Sequence, residues 1–236
     1  MLKANKNYVM LSLLSSALLT ACGGGGSSTA TPAGPVISSL SFPLRSAMTT
    51  LVLNGFAKTF TVSGSCVGTG SKSAGAATTA TTFEGVSAVA SAETFVMTLS
   101  NCTPASTNQP LTSYYNTSYM PLGMNAVGVN YGVYAPLPVV PASVVVGNSG
   151  VFGTENLYAD STKAVSHGRI DGTYIIEAET ATTVLLNLIG KTYDASGVLS
   201  LTEQDRYRVA AAGALVPVSA DIVQVTPAMH MLITYQ

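Results

Sequence analysis

The sequence predicts an all-β, mainly antiparallel protein, and three observations carry that expectation. Only 9 % of the 236 residues are charged, against about 25 % in an ordinary globular domain, and Ser, Thr, Ala, Gly and Val dominate, a mixture that favours strands and turns over helices. Six segments of strand length and β-branched or aromatic content follow one another: Val151 to Tyr158, Gly168 to Glu179, Thr182 to Tyr193, Val198 to Val209, Ala214 to Val225 and Met229 to Tyr235. The turns between them support one another. Tyr193 to Leu199 and Val209 to Leu215 share one spacing, with Gly197 and Gly213 where a type I turn plus bulge needs positive φ. The architecture these features specify is an antiparallel sandwich or a partly open curved sheet, with a six-stranded meander as its C-terminal half.

One segment admits a second reading. Glu203 to Ala212 could be a helix with Thr202 as N-cap, Asp205 at N3 and Gly213 just past its end. The hairpin is favoured, because Tyr207 and Val209 alternate with Arg206 and Arg208 and because the turn spacing recurs.

The first half is less regular. Between residues 36 and 146 the ionisable acids and bases are Arg45, Lys58, Lys72, Glu84 and Glu93. Leu51, Leu53, Phe60 and Val62 alternate around Asn54-Gly55, which predicts a hairpin. The Gly, Ala, Ser and Thr run from Gly68 to Thr82 predicts a long exposed loop. Phe95, Met97 and Leu99 form a strand leading to Cys102, the stretch from Pro104 to Pro121 reads as loop, and Val127, Val129, Tyr131 and Val133 mark another strand. Pro136, Pro138 and Pro141 limit pairing to an edge or a connection. The β domain is expected over residues 41–236, as one core or as two layers, 41–146 and 150–236.

Ahead of it, Lys3 and Lys6 precede an apolar run from Tyr8 to Leu19 that is too short to span a bilayer. Leu19-Thr20-Ala21-Cys22 follows. The segment resembles bacterial lipoprotein signal peptides, and the resemblance implies removal of residues 1–21, diacylglycerol on the Cys22 sulfur and acylation of the new N-terminus. Gly23 rather than Asp after the cysteine implies outer-membrane retention, facing the periplasm or the cell surface. At roughly 0.8 kcal/mol per buried methylene, two or more acyl chains hold a protein durably. Residues 22–40, with Gly23 to Gly26, Pro32 and Pro35, read as a flexible tether.

Of ten Lys and Arg, two lie in the leader, against eleven Asp and Glu, so nucleic acid is not an expected partner. The expected partners are the membrane, through the lipid, and an apolar ligand or envelope component. Tyr158 to Lys163, Glu179 to Thr183 and Leu201 to Val209 are similar to segments of uncharacterised lipoproteins of Gram-negative bacteria. That resemblance implies no activity and no catalytic residues.

Chemistry-bearing residues are few. Cys66 and Cys102 are the thiols left once Cys22 is acylated, and an exported compartment favours their disulfide. It would close a loop of about 37 residues and stabilise by roughly 3–4 kcal/mol in the chain-entropy model. Gly64-Ser65-Cys66-Val67-Gly68 also has the shape of a cysteine nucleophile elbow, but the Gly, Thr and Ser that follow do not start a helix. His167 and His230 come with no metal-ligand spacing, and no cofactor is implied. Glu177, Glu179, Glu203, Asp205, Arg206 and Arg208 come close together if the strands pair in order. Cross-strand ion pairs on a solvated face explain such a cluster, yet Glu203 and Asp205 share parity with Leu199, Leu201, Tyr207 and Val209. Either a bulge shifts the register or these two carboxylates face inward. Tyr114, Tyr115, Tyr119, Tyr131 and Tyr134 form an aromatic-rich region suited to packing or to a ligand. The expectation is a non-catalytic structural or ligand-binding envelope protein, with a carboxylate-dependent hydrolase of envelope polymers as the alternative.

Overall fold

The computed structural model describes residues 35–236. The leader, the Cys22 lipobox and most of the tether lie outside the described residues. The fold opens with α1 (Leu44–Asn54), where a hairpin was expected. Leu44, Ala47, Met48 and Leu51 recur at helical spacing and present one apolar face to the core. The alternation of Leu51 and Leu53 is only the tail of that longer period. Gly55 ends the helix at φ 67°, a left-handed conformation that glycine adopts freely, with its N–H on the Leu51 carbonyl at 2.8 Å.

Strands follow without another helix among the described residues: β1 (Phe56–Gly64), β2 (Gly68–Ala74), β3 (Thr79–Phe83), β4 (Val86–Leu99), β5 (Ser106–Tyr115), β6 (Pro121–Ala126) and β7 (Asn130–Tyr134). The predicted loop at Gly68 to Thr82 is thus β2 and most of β3, and the predicted loop after Pro104 contains β5. Small residues hid β2 because its neighbours supply the bulk. The Phe60 ring lies where a side chain on Gly70 would stand and stacks on Phe95 with centroids 5.1 Å apart. Val127 and Val129 fall in the turn between β6 and β7, leaving Tyr131 and Val133 in the strand.

The six C-terminal segments are β8 (Ser149–Tyr158), β9 (Ser166–Ala178), β10 (Thr183–Tyr193), β11 (Leu199–Ala210), β12 (Leu215–Gln224) and β13 (Met229–Tyr235), each paired antiparallel with the next. The helix considered at Glu203 to Ala212 is strand β11. Its pairing with β10 runs in unbroken register from Thr183↔Ala210 to Thr192↔Leu201.

The architecture is a closed barrel, not a sandwich or an open sheet. β1 pairs with β13 through Phe60↔Tyr235 and Val62↔Ile233, while β2 pairs with β4 through Gly70↔Met97 and Lys72↔Phe95. These two seams join the ends of the chain's sheet into a wall of 12 strands, with β3 extending the β2 edge along the first part of β4. Closure satisfies the edge backbone that an open sheet would expose. Strands from both sides of residue 146 belong to the same wall.

Strand number then fixes the interior. About eight strands leave an interior that wall side chains fill, whereas sixteen leave a channel. Twelve lie between, so the barrel needs added material and still keeps space. At one end α1 and the connection 135–148 enter the lumen, joined by the Phe42↔Val144 bridge and by Arg45, which donates to the Val140 carbonyl from Nε at 2.9 Å and Nη2 at 2.6 Å. Phe42, Leu44, Val140, Val144, Ile176 and Val209 make the apolar core there. At the other end Phe60, Val62, Met97, Leu99, Met231 and Ile233 pack around the Cys66–Cys102 disulfide, and Met124, Leu157 and Ile170 close the opposite side.

Candidate functional site: a lumen cavity with a carboxylate belt

Between the two plugs lies a cavity of about 290 Å³. Its origin is readable in the pairing. Gly153 faces Gly172, Gly172 faces Gly190, and Gly190 faces Glu203, so a row of side-chain-free positions crosses β8, β9 and β10 and ends at a carboxylate. A wall that is smooth there cannot fill the lumen. Met48, Leu51 and Val52 of α1 form the lid side, and Phe95, Leu111, Phe152, Leu186, Leu188 and Ile222 contribute apolar surface.

A belt of polar groups is set into that apolar surface. Lys72 from β2, Glu93 from β4, Glu155 from β8, and Glu203 and Asp205 from β11 all border the cavity, with Tyr115, Tyr134, Tyr207 and Tyr235 between them. The parity of β11 therefore expresses itself as inward carboxylates and not as a bulge at these residues. Glu203 is 2 % exposed and its Oε2 has no hydrogen-bond partner. Asp205 accepts from the Tyr207 hydroxyl at 3.2 Å, and Glu93 accepts from the Ser113 hydroxyl. Glu155 lies over Gly132, where a Cβ would collide with its carboxyl.

Burial sets the protonation of this belt. It pushes Glu155 up to about 8, and it pushes Glu203 well above the usual carboxylate range, helped by the nearby Asp205 charge and opposed by Lys72. For Lys72 burial acts downward, but its acidic neighbours Tyr235, Tyr207, Asp205 and Glu93 raise it above the ordinary lysine value; near neutral pH, with both phenols uncharged, the attraction comes from the carboxyl groups of Asp205 and Glu93. Burial likewise raises Tyr115, Tyr134 and Tyr207, and raises Tyr235 to about 12, so the four phenols stay neutral donors. Near neutral pH the belt thus holds Lys72 as a cation facing four carboxyl groups, two of which burial keeps protonated. A protonated Glu203 is no better satisfied, since a buried O–H without an acceptor also carries a desolvation cost.

The rest of the predicted cluster faces outward. Arg206 donates to Glu177 from Nε at 2.8 Å and from Nη2 at 3.2 Å, and Arg208 grips Glu179 at 2.5–2.9 Å. Asn187 joins them by donating to Glu177 at 2.5 Å and to Gln204 at 2.7 Å. On the same side of β9, Arg169 donates to Asp171 from Nε at 3.1–3.2 Å. The six predicted residues therefore divide by parity into an inner pair and an outer ion-paired set.

The remaining candidates separate as well. Cys66 and Cys102 are bonded, with Cα atoms 5.7 Å apart. Cys66 sits between the antiparallel strands β1 and β2, which is not the parallel strand and helix of a nucleophile elbow. His167 contacts Asn130 at 2.7 Å and His230 contacts Asp221 at 2.8 Å, far from each other in the pairing order. Among the described residues no group of three or more His, Cys, Asp or Glu could hold a metal ion. The tyrosine region splits too. Tyr114, Tyr115, Tyr119 and Tyr134 border the cavity, whereas Tyr131 does not; Tyr114 and Tyr131 pack on Phe83, with centroids 4.4 Å and 5.3 Å apart. Sequence reasoning missed Lys72, Glu93 and Glu155. Lys72 lay in a stretch read as loop, while Glu93 and Glu155 were single acids in strands whose inward parity only closure fixes.

Comparison with protein-family models, with curated proteins and with solved structures finds no match.

Proposed function

We propose that this protein is a non-catalytic, lipid-anchored binding protein that holds a small molecule inside its barrel. The observation that carries the reading is the lumen cavity of about 290 Å³ with an unpartnered buried carboxylate on its wall. A pocket near this size suits a small ligand, and a few placed polar groups in apolar surface are what orient one. The volume equals roughly ten water molecules at about 30 Å³ each, so the occupant has on the order of ten non-hydrogen atoms.

The alternative, hydrolysis of an envelope polymer by Glu203 and Asp205, has inward carboxylates in its favour. Their Cα atoms are about 7 Å apart along the strand. It has the closure of the barrel against it. A polymer chain needs an open cleft, and α1 with the 135–148 connection occupies the mouth through which it would enter.

A small-metabolite screen by thermal shift separates the two. Compounds of the stated size should raise the Tm of the wild type but not that of Gly190→Leu, which fills the smooth part of the wall. If nothing binds, or if purified protein degrades envelope glycans and Glu203→Gln abolishes this while remaining folded, the binding reading fails. The anchor is tested separately. Cys22→Ser should appear in the soluble fraction or as uncleaved precursor, and a processed, membrane-bound variant would contradict lipidation at Cys22.

A further inference from the structure

Resting on that reading, we propose that the occupant is a small organic cation, an ammonium or related N–H-bearing group on an apolar body, with its charge seated against Glu203. Three observations meet there. The first is the imbalance of the belt, in which the Lys72 ammonium faces the carboxyl groups of Glu93, Glu155, Glu203 and Asp205. The charge of Lys72 is already answered by Asp205 and Glu93, which hold it cationic. The same ammonium also acts on Glu203, so one cation serves three carboxyl groups, and Glu155 is shifted by burial alone.

The second is the orphaned oxygen. Glu203 is buried to 2 % exposure with Oε2 unsatisfied on a cavity wall, and leaving such a group unpaired costs more than a typical hydrogen bond returns. An anionic guest would meet the Asp205 charge beside Glu203, and an apolar guest would leave the oxygen unpaired. An ammonium supplies both the donor and the opposite charge.

The third is the aromatic surround. Tyr115, Tyr134, Tyr207 and Tyr235 border the same space, and the faces of neutral phenols attract cations. A bare metal ion fits poorly, since among the described residues no three His, Cys, Asp or Glu are grouped to hold one and Lys72 shares the cavity. An organic cation instead uses the apolar lining of Phe95, Phe152 and Leu188 for its body.

Binding should displace a proton. Lys72 and Tyr235 face Glu203 across the lumen, and Asp205 and Tyr207 flank it on β11. Glu93 and Glu155 stand farther round the belt. A cation that enters converts the protonated Glu203 to its carboxylate and releases the proton to solvent, so charge balances with no other reactant.

The test uses the acylated protein in detergent and three probes of matched size: phenethylammonium, 2-phenylethanol and 3-phenylpropanoate. By isothermal titration near pH 7 the amine should bind at least ten-fold more tightly than the alcohol, and the carboxylate weakest. The measured enthalpy should vary with the ionisation enthalpy of the buffer, which reads out the released proton. Glu203→Gln should erase the amine's advantage while leaving the alcohol's affinity within two-fold. If the alcohol or the carboxylate binds as tightly as the amine, the ligand class is wrong and the cavity reading stands. If none of the three binds while the metabolite screen yields a hit shielded by Gly190→Leu, the cation proposal again falls alone; if that screen is also empty, both fall.

Discussion

The two faces of β9, β10 and β11 use the same residue types to opposite ends. On the outer face Glu177 and Glu179 sit opposite Arg206 and Arg208, each carboxylate held by a guanidinium at hydrogen-bonding distance. On the inner face Glu203 and Asp205, neighbours of those arginines in sequence, look into a cavity that offers Lys72 as its cation. A shift of one residue along a strand moves a charge from water to the lumen. On the outer face each carboxylate has its own guanidinium, whereas on the inner face one ammonium stands among four carboxyl groups.

The largest expected effect is on pH dependence. Glu155 is held protonated up to about 8 in the folded, ligand-free protein, whereas unfolded it ionises near the ordinary value of about 4.3. Between those values the native state binds the extra proton. Stability therefore falls as pH rises through that window and changes no further above it. Glu155→Gln mimics the protonated form and removes this contribution, so its advantage over wild type should grow between pH 5 and pH 8.5 by on the order of 4 kcal/mol. Urea unfolding at the two pH values measures it, and parallel curves would show that Glu155 ionises freely. Glu179 should behave inversely. Burial pushes it up, but hydrogen bonds from Arg208 and Thr183 and the Arg208 charge carry it below the usual range. Its contribution is present above the unfolded value and disappears as pH falls through the folded one, and with Arg208 largely in solvent it amounts to less than about 1 kcal/mol.

Legibility followed the same division of faces. The six C-terminal strands were readable because alternation there is strong and two of the turns repeat one glycine-bearing spacing, at Gly197 and Gly213, and the inward parity of Glu203 and Asp205 was visible in Leu199, Leu201, Tyr207 and Val209. Closure was not readable. It depends on Phe60 and Val62 of β1 meeting Tyr235 and Ile233 of β13, a pairing across nearly the whole chain that no local pattern announces. β2 was invisible for a related reason: Phe60 and the β4 backbone occupy the space that side chains on Gly68 and Gly70 would need. Without closure there is no lumen, and without a lumen Lys72, Glu93 and Glu155 cannot be recognised as neighbours of Glu203. The helix α1 was lost to a two-residue alternation that imitated a strand.

The smaller effects test the comparison by sign. Glu177→Leu removes two bonds to Arg206 and one to Asn187, and strands a guanidinium whose side chain is 15 % exposed. It should destabilise the barrel by about 2–3 kcal/mol, because the partners left behind lose their acceptor. Glu203→Leu is the same chemical change on the other face, two strands away. There the carboxyl has an oxygen with no partner to lose, and leucine adds apolar surface to an apolar wall. It should raise stability by about 1–2 kcal/mol while abolishing ligand binding. Urea titrations of the two variants at pH 7, in the absence of ligand, give the pair of signs directly. Two losses of similar size would mean that Glu203 has a structural partner and that the inner carboxylates belong to the fold and not to a guest; a gain for Glu203→Leu beside a loss for Glu177→Leu is the signature of a position kept for binding at the expense of stability.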